Sequence, residues 1–305
     1  MDFVLSTSWN AFRHSDGKEL IDEIKKLGFR EVELSFNLTD TILQGVSALV
    51  RENQIRVASL HNFCPIPQGL RREEALPDCY SMASCNEEER KAALKFTRRT
   101  IDTASSLGAQ AVVLHCGRVE MPDATRELIE LYNRGEKESD KFRALREDVE
   151  RKRKSQAGPF FENTLRSLEE LSRYAQKLGI ALGVETRFYF CEIPSFQELG
   201  IILEELKGSK VFYWHDTGHA QVREHLGFEK HKEYLQAYAA RMLGIHLHDV
   251  SGCRDHLAPS RGKIDFAFLK PYLNNACLRV IEAHHPATAE DLQAAKAFLG
   301  RVLYG

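Results

Sequence analysis

The feature that most constrains this chain is a rhythm. Short β-rich runs recur along it: "DFVLSTS" (2–8), "EVELSF" (31–36), "RVASLHN" (56–62), "AVVLHCG" (111–117), "ALGVETR" (181–187), "VFYWHDT" (211–217), "LGIHLHDV" (243–250) and "RVIEAHH" (279–285). Stretches of helical spacing lie between them. "GKELIDEIKKLG" ends at Gly28, "NEEERKAALKFTRRTIDTASSLG" opens at a capping Asn86, "PSFQELGIILEELKG" runs from Pro194 to Gly208, and "ATAEDLQAAKAFLGRVLYG" closes the chain. Strands that alternate with helices form a parallel sheet. Eight such units in 305 residues with no linker predict one closed (β/α)₈ barrel spanning 1–305 as a single domain.

Two insertions interrupt the rhythm. Residues 63–85 form a long loop after the third strand, where a lid over a barrel mouth would sit. Residues 119–158 follow the fourth strand. The mixed charges of 134–154 predict a solvated helix laced with ion pairs, with "RKRK" (151–154) as the alternative site for an acidic partner.

Composition narrows the partners. Lys and Arg number 42 against 44 Asp and Glu, a formal charge of −2, so no global field favours nucleic acid. No apolar run is long enough to span a bilayer. The opening "MDFVLSTSW" lacks the basic region and small-residue cleavage site of a signal peptide. The seven cysteines are scattered and lack C-x-x-C spacing. They read as reduced thiols, Cys116, Cys191 and Cys253 among them, and a cytoplasmic location is expected.

Chemistry gathers where the strands end. The third strand delivers His61, the fourth His115, the fifth Glu185 and the sixth Asp216, with His219 three residues on. The seventh delivers His246 and His248, followed by His256. The eighth delivers Glu282, His284 and His285. Any one of these has a structural explanation, but successive strands feed the same rim. Carboxylates converging in a low-dielectric mouth repel one another unless a cation is present. Side-chain parity lets Glu185, Glu282, His246 and His248 point inward while Val184, Ile281, Leu243, Ile245 and Leu247 face the helices. Mixed imidazole and carboxylate donors suit Zn²⁺, Mn²⁺, Fe²⁺, Co²⁺ or Mg²⁺, and no organic cofactor is expected. Arg118, Arg187, Arg254, Arg261 and Lys263 also fall in strand-end loops, available for a substrate anion or for ion pairs with the site's acids. Glu33 reads as a structural pairing residue, and Asp249 as structural.

On "GFREVEL", "VET" (184–186), "DTGH" (216–219), "IHLHD" (245–249), "DHLAPSRGKIDF" (255–266) and "IEAHH" (281–285), the chain resembles the xylose isomerase-like (β/α)₈ superfamily. That superfamily holds sugar isomerases and epimerases and the endonuclease IV type of apurinic endonucleases. In its epimerase branch, the resemblance implies, Glu185, Asp216, His246 and Glu282 hold one divalent metal. Glu185 and Glu282 also exchange a proton with the carbon next to a carbonyl. His219 then contacts substrate or a second ion. In the endonuclease branch His61, His115, His219 and His256 match further ligand positions. The accompanying Asp-Arg-His pattern is broken here, with Arg254 standing where the ligand Asp belongs.

The sequence therefore predicts a metal-dependent isomerase or epimerase acting on a sugar, sugar acid or related polyol. Its catalytic residues are Glu185 and Glu282. His61, His115, His219 and His256 serve a second metal or substrate, and Arg187, His248 and Arg254 bind substrate. The expected partner is a small sugar-like molecule rather than nucleic acid or a membrane, and a homo-oligomer is compatible with the sequence. The alternatives left open are a metal-dependent phosphodiesterase, a lyase or dehydratase on the same site, and a non-catalytic barrel that only binds metal and ligand.

Overall fold

Eight parallel strands pair edge to edge and close on themselves in the computed structural model, which describes residues 3–305. The strands are β1 (Val4–Ser6), β2 (Glu31–Leu34), β3 (Arg56–His61), β4 (Ala111–Leu114), β5 (Ala181–Glu185), β6 (Val211–Asp216), β7 (Met242–Leu247) and, after a short hairpin of β8 (Asp249–Ser251) and β9 (Arg254–Leu257), β10 (Leu278–Ile281). Neighbours in sequence are neighbours in the barrel, and β10 pairs with both β7 and β1. Each barrel strand lies inside or close to its expected run. Asp2, the first residue of the expected opening strand, lies outside the described residues. The strands end earlier than their sequence runs, so His115 and Glu282 sit one residue beyond β4 and β10.

The helices form for reasons visible in the chain. Asp16 caps α1 (Gly17–Lys26), accepting from the backbone N–H of Lys18 and Glu19. α2 (Asp40–Arg51) follows β2. Asn86 caps α3 (Glu87–Ser106) as Asp16 caps α1. α4 (Thr125–Asn133) lies in the second insertion, and α5 (Asp140–Lys177) leads into β5. Ser195, rather than Pro194, caps α6 (Phe196–Glu205) through a reciprocal bond with Glu198. α7 (Thr217–His225) and α8 (His231–Tyr238) fill the space between β6 and β7, and α9 (Ala289–Tyr304) closes the chain.

From Asp140 on, the charged insertion is part of α5, which continues to the turn before β5. Its exposed face carries the expected ion pairs, including Lys152 with Asp148 at 2.6 Å. "RKRK" is not a free basic patch: Arg153 is buried and grips Glu198 at 2.9 and 2.6 Å.

Outward-facing strand residues such as Leu5, Val32, Leu182 and Ile245 join the helices in one large core. Inside the barrel a smaller cluster of Val4, Ala58, Ala111, Val113, Leu278 and Val280 surrounds Trp214. Gly183 and Gly244 make room for this indole. A Cβ on Gly183 would fall 2.7 Å from Trp214, and one on Gly244 would overlap its ring outright. Leu243 packs against this inner cluster instead of facing the helices. The β6–β7 register slips between Tyr213 and Trp214, and that extra residue turns Leu243 inward.

No pattern in the sequence signals the antiparallel β8–β9 hairpin, which continues β7 over the barrel mouth. Asp249 anchors it, accepting backbone N–H groups from Val250, Ser260, Gly262 and Ile264 at 2.8–3.0 Å. No helix among the described residues is long and apolar enough to cross a membrane.

Candidate metal centre and active site

The barrel places four donors around one point above Trp214. Asp216 and His246 are paired in register on β6 and β7, and Val280 beside His246 sets Glu282 just above. Glu185 ends β5. From Nδ1 of His246 the distances are 2.7 Å to Glu185 Oε1, 3.0 Å to Glu282 Oε2 and 3.6 Å to Asp216 Oδ2. One donor atom from each of the four residues lies within 4.8 Å of the others, and all four residues are buried. The Trp214 ring meets His246 edge-on at 5.2 Å and floors the site.

The opposite edge of the His246 ring fixes its orientation. Nε2 lies 3.0 and 3.2 Å from the two oxygens of Glu33, which also accepts from Ser59 Oγ at 2.8 Å. Glu33 is fully buried, so this is the structural pairing expected of it. With Nε2–H donated to Glu33, the Nδ1 lone pair faces the three carboxylates.

The electrostatics show what such a pocket asks for. Burial opposes ionisation of Glu185, yet His115, His246 and His61 hold its carboxyl well below the ordinary range. Burial likewise opposes ionisation of Asp216 and Glu282, and the surrounding histidines outweigh it. Burial opposes a charged His246, but Glu282, Glu33, Asp216 and Glu185 draw it toward the imidazolium. A single proton on Nδ1 satisfies one acceptor, whereas three acceptors converge there. One nitrogen and three carboxylate oxygens fit a divalent cation.

Glu282 and Glu185 differ in their second oxygens. Among the described residues, Glu282 Oε1 has only His284 Nε2 within ion-pair reach, at 4.0 Å. Glu185 Oε2 is crowded by His115 Nε2 at 2.7 Å, Arg187 Nη1 at 2.8 Å and His61 Nε2 at 3.7 Å. His61, His115 and Glu185 thus form a second donor cluster beside the first. The loop 63–85 reaches this point through Asp78, whose carboxylate lies 3.1 Å from His115 Nδ1.

A third group surrounds Asp216. Asp216 caps α7 by accepting from the His219 N–H at 2.7 Å. His248 lies 2.8 and 2.9 Å from its two oxygens through Nε2 and accepts the His256 N–H at Nδ1. Both ring nitrogens of His248 are thereby used and the residue is fully buried. These bonds let it orient Asp216. Burial pushes His219 down to about 4. His256 stacks on His248 and His284, with ring centroids 4.2 and 3.9 Å away.

The missing aspartate of the seventh-strand loop has a neighbour in its place. Asp255 turns toward His256 Nδ1 at 3.1 Å and toward His219 Nε2 at 3.9 Å, while Arg254 points to solvent. The sequence register suggested no carboxylate here, but the hairpin turn brings the adjacent one in.

Two clefts border the flanking groups, and none of the four donors around Nδ1 of His246 lines either. One, about 340 Å³, is bordered by Arg254, His256, Arg261 and His284, so Arg254 remains placed to meet a ligand. Arg261 is paired with Asp291 at 2.6 Å. The other, about 930 Å³, is bordered by Asp78, Arg118, Arg126, Tyr189 and Glu192, with Arg187 at its floor. Arg187, expected to meet substrate, lines this cleft and also bonds buried acids and His115. Asp78 and Glu192 are site residues that sequence reasoning missed. Both lie in loops whose path no local pattern encodes.

Known structures share this architecture. A D-tagatose 3-epimerase-like protein superposes with a TM-score of 0.71 at 18% identity, covering 99% of this chain and 97% of its own. The apo form of 3-keto-D-glucoside 4-epimerase from E. coli gives 0.68 at 16% identity, with 99% of both chains covered. A Thermus thermophilus protein soaked with ZnCl₂ gives 0.62 at 21% identity, covering 99% of this chain and 98% of its own. No curated protein sequence matches significantly. The sequence profile of one family does match, over residues 21–286: the chain belongs to the xylose isomerase-like TIM barrel family.

Proposed function

We propose that this protein is a divalent-metal-dependent isomerase or epimerase acting on a sugar, sugar acid or related polyol. The observation that carries the reading is the convergence of Glu185, Asp216 and Glu282 on Nδ1 of His246, with one oxygen of Glu282 left free. Glu185, Asp216, His246 and Glu282 are the residues that would hold the ion. When bound, it supplies polarisation of the substrate carbonyl and of the neighbouring hydroxyl.

The protein's own groups do the proton work. Glu282, with Oε1 uncommitted, takes the proton from the carbon next to the carbonyl. Glu185 faces it across His246 and, carrying a proton drawn from solvent before turnover, delivers that proton to the opposite face of the carbon, while Glu282 passes the one it took to solvent. His256 and Arg254 border the smaller cleft, where a hydroxyl or acidic group of the substrate would lie. The relatives' sugar epimerisations support this chemistry by analogy of fold.

The test is Glu282→Gln, assayed in D₂O on a panel of ketoses and sugar acids for solvent deuterium at the carbon next to the carbonyl. Loss of a general acid–base group costs roughly 10²- to 10⁴-fold. A metal-replete, fully active E282Q protein overturns the reading.

A phosphodiesterase is the second reading, because Asp255 supplies a carboxylate beside His219 and His256. Metal-dependent incision of duplex DNA carrying one abasic site, at substoichiometric protein, would place it first.

A further inference from the structure

Arg187 stands two residues beyond Glu185, and its side chain is 6% exposed. Its Nη1 lies 2.8 Å from Glu185 Oε2 and 2.5 Å from His115 Nε2. These two atoms, with His61 Nε2, are the donors that face one another in the second cluster.

The ring orientations agree with this placement. His61 turns Nδ1 to the Asn62 carbonyl at 3.1 Å and Nε2 toward Glu185 at 3.7 Å. His115 Nδ1 faces the Asp78 carboxylate at 3.1 Å, and its Nε2 faces the Arg187 guanidinium. A permanent cation thus stands between an imidazole nitrogen and a carboxylate oxygen, where a metal ion would sit.

The guanidinium is also held from behind. Nε and Nη2 lie 3.2 and 2.6 Å from Glu192 Oε1, and Nη2 is 3.8 Å from Asp78 Oδ2. Glu192 is itself buried and accepts the Tyr189 N–H at 2.9 Å. A metal ligated by His115 and Glu185 needs bonds of about 2.0–2.2 Å to the two atoms Nη1 already contacts. Moving Arg187 aside would strand Glu192 as an unpaired buried carboxylate.

We propose that the Arg187 guanidinium takes the place of a second metal ion between His61, His115 and Glu185, leaving the chemistry to the ion of the Glu185–Asp216–His246–Glu282 site. This rests on the metal reading of that four-residue site. The arginine neutralises the outer oxygen of Glu185 and fixes which oxygen faces the reaction.

The experiment counts Mn²⁺ per chain after titration and dialysis, with electron paramagnetic resonance to detect coupled ion pairs. Wild type and His115→Gln should bind the same number of ions, because His115 holds none. Arg187→Met should bind one more, with a coupled Mn²⁺ signal through the shared Glu185, and Arg187→Met/His115→Gln should lose it again. If R187M does not fold, Arg187→Met/Glu192→Gln removes the stranded charge and takes its place, and the His115→Gln comparison decides by itself if neither folds.

A wild-type protein that loses one ion on His115→Gln overturns the proposal, as does a folded R187M that gains none. Failure of the four-residue site is a separate result: Asp216→Asn would then leave the ion count unchanged.

Discussion

Glu33 never touches the reacting groups, yet metal affinity is expected to depend on it. Its Oε1 lies 3.0 Å from Nε2 of His246, and both side chains are fully buried.

Glu33→Gln keeps a carbonyl to accept Nε2–H, so the ring stays oriented, but the charge that makes Nδ1 a strong donor is gone. Removing such a partner weakens metal binding by about 10- to 100-fold, or about 1.4–2.7 kcal/mol. Competition between the protein and a chelating dye for Mn²⁺ reads this directly. A thermal melt of the metal-free form separates it from unfolding. An E33Q protein with wild-type Kd and an intact melt would refute the reasoning, because Glu33 would then be only a buried counter-charge.

Two further perturbations probe the scaffold. Gly244→Ala pushes a methyl into Trp214 beneath His246 and should destabilise the fold by about 1–3 kcal/mol, with a shift in tryptophan fluorescence; a wild-type melt contradicts the packed floor. Far from the site, burial opposes ionisation of Glu23, yet hydrogen bonds from Arg13, Asn10 and His14 hold its pKa down from 4.5 to about 2. A carboxyl depressed on folding adds stability that is complete above its unfolded pKa and lost as pH falls through the folded one. Glu23→Gln should therefore flatten the melting temperature between about pH 4.5 and 2, and an unchanged acid limb refutes this.

Much of the barrel was legible because its signals are local and repeated: strand, helix and capping residue recur with the period the closed sheet needs. The convergence of Glu185, Asp216, His246 and Glu282 was legible for the same reason. A ligand at the end of a barrel strand has its direction set by parity and its height by register, as with Asp216 beside His246. What escaped depended on loops. Asp78 and Glu192 reach Arg187 along paths that no periodicity fixes. The β8–β9 hairpin turns Asp255 inward where spacing pointed to Arg254. Leu243 was misplaced by a one-residue slip in the β6–β7 pairing. His248 has the parity of a site residue, but its hydrogen bonds to Asp216 and to the His256 backbone are tertiary facts.

Anomalous diffraction from crystals of the unmodified protein soaked in Mn²⁺ locates the ion. A peak is expected bonded to Nδ1 of His246 and to Glu185, Asp216 and Glu282, at about 2.0–2.2 Å from each ligand atom. A map with no peak among these four residues, or with the metal only elsewhere on the chain, would contradict this ligand set.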